Sequence, residues 1–445
     1  MTAAAELSPK LTMPGQLRHH KHSERVVATP KQVNGSLAEA ELDQYRWSVV
    51  TAVQHVFDMY PKTWDDSGAR KFYEFWKASL RAGSVPHGAV FVPFPWRFVM
   101  ELEVRNRNEL SRFKWLMRFW ETLQFGKFRH FIVLQQCSVG SIKVAATLLD
   151  RAFIIPDDMI VFDTRLFDLA ERAQGVPITH NSVPLPLLHN APPDMRFVWP
   201  ARRNFSIHFA GSCTNSVRER IPGWLAEVNN SRVYTCGNKE KLDQSRWAYE
   251  VANSNFTLTA SGTFPPTFMI YEAMQLGSLP VMLFTVASFK LQRTLHSVYK
   301  CDGGKSRFTR ACAEAQTRAI RAAHPEWPLV HGDRPGGPAS NLTWDSPDSS
   351  ARLSLKEIDQ LMPFYGLGFR FSRAGLFVLD PRDSTDHRPW TEDSVKKILL
   401  TALARESASV PARMEYLKKW QHMFTHRRSY AYMNDHVAKY DTLWV

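Results

Sequence analysis

Residues 247–284 read WAYEVANSNFTLTASGTFPPTFMIYEAMQLGSLPVMLF, and their order decides the fold. The pattern predicts a helix ending near Asn253, then a short β-rich run, NFTLTAS, bounded by the turn-prone Ser261 and Gly262. Pro265 and Pro266 suit the start of a second helix, where a missing backbone N–H costs little. Ile270, Ala273, Met274 and Gly277 fall on one side of that helix, and Gly277 can close it in the left-handed conformation. SLPVMLF follows as a second apolar strand. The stretch is therefore a β-α-β unit, whose loop-to-helix junction is a candidate phosphate site.

Glu272 lies about one turn into this helix. In open α/β sheets that position is near the carboxyl ends of the strands, where nucleotides bind. Its carboxylate can accept hydrogen bonds from two ribose hydroxyls, while N–H groups around Thr267 and Phe268 face a diphosphate. Taken alone, a Glu on an amphipathic helix is more often solvated or salt-bridged.

Ser254, Phe256, Leu258, Gly262, Tyr271, Glu272, Ala273, Gly277, Leu279, Pro280 and Val281 together form a pattern that resembles the donor-sugar half of exostosin-like glycosyltransferases, family 47 of the sugar transferases. The E-A-M-x-x-G-x-x-P-V core is also similar to other nucleotide-sugar transferases of the GT-B architecture. The resemblance implies two Rossmann-like α/β domains facing each other across a cleft. It also implies inverting transfer of a sugar from a nucleoside diphosphate, a UDP-sugar, to a glycan hydroxyl. No metal or other cofactor is implied besides the donor. Golgi residence is implied too, although no membrane anchor or signal core is visible and the chain as written reads as soluble.

Composition sets outer limits. At 445 residues, 44% hydrophobic and 22% charged, the chain is globular and long enough for two domains. Its 56 Lys and Arg against 43 Asp and Glu leave +13, which attracts nucleotide phosphates, acidic polysaccharide, nucleic acid or anionic lipid. No zinc-finger spacing, Walker loop or ribonucleoprotein motif is present, so nucleic acid is not the expected partner. The longest apolar runs are strand-sized, so no membrane span is expected.

Residues 1–43 read as a disordered tail, 44–200 as an acceptor-side domain and 201–445 as the nucleotide-sugar-binding domain. Helical spacing begins at Glu41, and a second helix covers Ala69 to Leu80. Then come a strand at 89–94, a helix at 106–125, a strand at 130–136, a helix at 142–150 and a strand at 159–164, an alternation that argues for a parallel sheet. THNSVPLPLLHNAPPDM, 179–195, reads as an interdomain connection lining a cleft. In the second domain NFSIHFAG (204–211) and SRVYTCG (231–237) are strands. Residues 290–361 look like an insertion, and helices are expected over 392–406 and 410–424. RRSYAYMNDHVAKYDTLWV closes the chain with aromatics expected to pack in a core.

An inverting transfer needs a general base on the acceptor hydroxyl. Gln136 and Cys137 stand where the family has His-Asp, which leaves His130 and Asp163 as competing candidates. For the donor, the resemblance assigns Ser261, Gly262, Thr263 and Thr267 to the diphosphate loop. Arg218, with Arg220 beside it, would offset charge on the departing diphosphate. Met269 replaces an arginine usual in the family, so a catalytically degenerate sugar- or nucleotide-binding protein is the alternative.

Overall fold

The computed structural model of the chain describes residues 35–58, 68–93, 117–134, 155–156, 159–164, 181–188, 199–200, 202–211, 216–234, 242–260, 267–284, 359–379 and 392–441. The expected tail up to residue 34, the helix at 142–150 and residues 290–358 of the expected insertion lie outside these. Among the described residues no helix is long and apolar enough to cross a membrane.

Helix α1 (Gly35–Asp58) begins earlier than expected, because LAEAEL is rich in good helix formers. From Leu42 onward it buries Val49, Val50 and Val53, and α2 (Gly68–Arg81) buries Phe72, Tyr73 and Trp76. Four strands follow: β1 (Ala89–Val92), β2 (Arg129–Leu134), β3 (Ile160–Asp163) and β4 (Asn181–Pro184). They form one parallel sheet in the order β1-β2-β3-β4. The continuous apolar runs in β1 to β3 suit strands covered on both faces. Trp76 packs edge-on against both Phe91 and Phe131, which stack on each other at 4.9 Å.

The fourth strand corrects one expectation. Residues 181–184 pair with β3 instead of serving as irregular connection. Pro184 is tolerated because it ends a strand at the sheet margin, where its missing N–H breaks no interior ladder.

The second sheet is also all parallel. Its strands are β5 (Phe205–Ala210), β6 (Ser231–Tyr234), β7 (Ser254–Ala260), β8 (Leu279–Phe284) and β9 (Leu376–Leu379). Helices α3 (Ser216–Leu225), α4 (Gln244–Ala252) and α5 (Phe268–Gln275) make the crossovers. The order β6-β5-β7-β8-β9 places the first strand between the second and the third. That is a doubly wound order with a topological switch point between β5 and β7. The polar side chains in β7 have partners: Thr257 donates to Ser278 Oγ at 2.8 Å and Thr259 to the Val281 carbonyl at 3.1 Å.

Helix α5 ends as the sequence suggests. Gly277 takes φ +78°, its N–H reaches the Met274 carbonyl and the Ser278 N–H reaches Ala273, which is a Schellman closure. The helix starts at Phe268 with Thr267 as its N-cap.

Helices α6 (Glu392–Glu406), α7 (Val410–Trp420) and α8 (His426–Asp441) complete the chain. The aromatic C-terminal stretch is thus largely helix. Tyr430, Met433 and Val437, at helical spacing, enter the core of the first sheet, and the Tyr430 hydroxyl donates to Ser79 Oγ at 3.0 Å. Phe424, just before α8, belongs to the core of the second sheet instead.

Candidate functional site

The β5/β7 switch point is where the fold concentrates its binding potential. From β5 the chain turns through α3 toward β6, and from β7 it turns through α5 toward β8, so the two crossovers diverge at neighbouring carboxyl ends. The first sheet, wound in one direction through its described strands, offers no such point.

Arg218 spans the gap. It stands on α3, after β5, yet its Nη2 donates to the carbonyl of Ala260, the last residue of β7, at 2.7 Å. The side chain is buried, and burial pulls its pKa down to about 10, so it remains a cation at neutral pH. Gly211, which follows β5, makes room for it: a Cβ there would meet Arg218 Nη1 at 3.3 Å and the Phe209 ring at 3.2 Å. A buried guanidinium at the carboxyl edge of a parallel sheet can fork onto phosphate oxygens.

Glu272 is the fifth residue of α5, about 6 Å along the axis from the helix start. It is buried, as are all residues from Met269 to Gln275. β7 and β8 cover one flank of the helix and the Gln421–Met423 turn another. Thr267, expected in the phosphate loop, stands at the amino end of the helix. Its Oγ accepts the Met269 N–H at 3.3 Å, so the side chain caps the helix and occupies one of the amides otherwise open to an anion. Met269 itself is buried. Arg220 lies on the exposed side of α3, away from the buried Arg218. Ser261, Gly262 and Thr263 lie outside the described residues.

The two candidate bases are at opposite edges of the first sheet. Asp163 is the last residue of β3, in register with Leu134 and Pro184 at the carboxyl edge. It is buried and accepts a hydrogen bond from Ser182 Oγ at 2.9 Å. The adjacent Thr164 hydroxyl is buried without a hydrogen-bond partner among the described residues. His130 is in register with Val90 near the amino edge, and four residue steps along the strand, about 13 Å, separate it from Leu134. Its Nε2 lies 3.0 Å from the Tyr45 hydroxyl, and Phe125 packs edge-on at 4.9 Å. Burial pushes its pKa down to about 4, so it is neutral at physiological pH.

Ser182 sits in a proline-rich stretch that reads as connection, although the alternation in NSVPL is a strand signal. Gly211 is legible as the glycine that ends the NFSIHFAG strand ahead of Arg218, and the structure adds that its missing side chain leaves room for that guanidinium. A further buried group, His208, lies within β5 with its Nε2 3.8 Å from Glu250 Oε2, and the Tyr234 hydroxyl donates to the same carboxylate. Among the described residues no cluster of three or more His, Cys, Asp or Glu could hold a metal ion.

The fold is that of an α/β protein with two parallel sheets, compatible with a Rossmann-like architecture. No protein-family model matches the chain, and no curated protein matches it at a significant level.

Proposed function

We propose that the chain is an inverting, nucleotide-sugar-dependent glycosyltransferase of the GT-B type, with two Rossmann-like domains facing each other across a cleft. The donor, a UDP-sugar, is held at the β5/β7 switch point of the second sheet. Arg218 faces its diphosphate and Glu272 its ribose. Asp163, at the carboxyl edge of the first sheet, takes the proton from the acceptor hydroxyl. The acceptor oxygen attacks the anomeric carbon as the bond to the diphosphate breaks, and Arg218 offsets the charge that the leaving group gains. The sequence pattern around Glu272 suggests the donor class. The observation that carries the proposal is the buried Arg218 cation bridging from α3 to the Ala260 carbonyl across the switch point.

Calorimetric titration with UDP tests it. Wild type should bind, and Glu272→Gln and Arg218→Lys should each weaken binding about tenfold or more while keeping a native circular dichroism spectrum. A folded wild type that ignores UDP, or variants that bind as tightly as wild type, would refute the donor site. UDP-sugars with glycan acceptors then test turnover.

Met269 favours one alternative. Where the family has an arginine, this chain has a buried apolar side chain whose own amide is capped by Thr267. A protein that binds the nucleotide without transferring sugar would show UDP affinity but no product with any acceptor, and Asp163→Asn would change nothing.

A further inference from the structure

The amino edge of the second sheet carries a surface that the proposed reaction does not use. Ahead of β9 the chain makes a tight turn, Tyr365–Leu367, between Phe364 and Gly368, both with positive φ. Leu367 projects at its tip, 46% exposed, between the exposed Gly366 and Gly368. Among the described residues the other exposed large hydrophobic side chains are Trp47 and Tyr249. Aromatic rings and cations surround the tip. Arg370 lies over the Tyr365 ring at 3.8 Å and Arg373 over Tyr416 at 4.5 Å. Tyr416 and Trp420, one turn apart on α7, both pack on Phe369. Lys418 and Lys419 lie between them in sequence, exposed on the same helix.

Arg373, Lys418 and Lys419 make no ion pair among the described residues. Of the nearby acids, Asp359 is buried and accepts from Ser372, and Glu406 is paired with Arg413 and Arg405. Glu415 is the one exposed carboxylate on α7.

We propose that this ledge docks on an anionic lipid bilayer surface. An apolar tip flanked by Arg370 and Arg373, with Tyr416 and Trp420 half-buried behind it, has the chemistry of an interfacial contact. Leu367 enters the acyl boundary, the rings sit at headgroup depth, and the cations meet lipid phosphates and carboxylates. A single-stranded nucleic acid would need open ring faces for its bases, but guanidinium groups cover Tyr365 and Tyr416. The ledge adjoins the amino end of β9, whereas the switch point is at the carboxyl ends, so docking leaves the candidate nucleotide crevice unobstructed. This inference stands whether or not the chain transfers sugar.

Co-sedimentation of the full chain with vesicles tests it. The protein should bind phosphatidylcholine vesicles that contain phosphatidylserine, lose that binding in high salt, and ignore pure phosphatidylcholine. Lys418→Glu with Lys419→Glu should weaken binding about tenfold or more. Leu367→Glu, an exposed change that spares the fold, should weaken it about fivefold or more. Equal indifference to both vesicle types would overturn the proposal. So would anionic-vesicle binding that neither variant changes, which would place the contact elsewhere on the chain. A ledge that binds single-stranded DNA but not vesicles, through the lysines and not Leu367, would make it a polyanion site instead.

Discussion

Tyr271 buries a hydroxyl that has no hydrogen-bond partner among the described residues, and burial pushes its pKa well up. A phenylalanine keeps the ring beside Phe424 and removes the desolvated oxygen. Tyr271→Phe should therefore raise stability by about 1 kcal/mol in urea unfolding, and a loss would show that the hydroxyl is satisfied. Gly375 presents the opposite case. A Cβ there would sit 2.6 Å from the Pro280 carbonyl and 2.7 Å from the Phe371 ring, so Gly375→Ala should cost on the order of 2–3 kcal/mol. The role of Gly277 was legible, since a glycine after a periodic helix signals its closure. That of Gly375 was not, because the carbonyl it approaches comes from a strand far away in sequence. Arg218 was legible as a charge near a strand end, but its acceptor, Ala260, required the β5/β7 pairing.

At the level of elements, α5 shows how local signals and tertiary contacts divide the work. Its cap and its closing glycine are set by adjacent sequence, and Thr267→Ala should lower stability by about 1 kcal/mol. Its outer end is fixed from elsewhere. Trp199 Nε1 donates to Gln421 Oε1 and Gln421 Nε2 to the Gln275 carbonyl, both at 2.6 Å, while Gln275 Nε2 donates to the Phe424 carbonyl. Gln421→Ala leaves a half-buried indole N–H and the Gln275 carbonyl unpaired, and should cost about 1–3 kcal/mol by denaturant unfolding. Alternating strand and helix runs made the parallel sheets readable. The strand β4 was obscured by its prolines, and α8 by polar residues on its solvent side that masked the spacing of Tyr430, Met433 and Val437.

At the level of the whole molecule, buried imidazoles tie stability to pH. Burial holds His130 and His208 to pKa values of about 4, with Glu250 partly opposing the shift at His208, and lowers His436 as well. The unfolded chain protonates His130 and His208 near pH 6.5, while the folded chain does not until about pH 4. The unfolded state therefore binds more protons in that window, and stability should fall as pH drops from about 6.5 to 4, by ~2–3 kcal/mol for each of His130 and His208. His208→Gln should flatten part of that slope in chemical denaturation across pH. The proposal that the second sheet holds a nucleoside diphosphate rests on a doubly wound strand order that emerges only when all five strands are paired. Amide hydrogen exchange of the full chain, with and without saturating UDP, examines that directly. Protection should appear in peptides spanning β5 to α3 and β7 to α5, and not at Tyr365–Phe369. Bound UDP that protects neither peptide, or protects only the first sheet, would put the nucleotide somewhere other than the switch point.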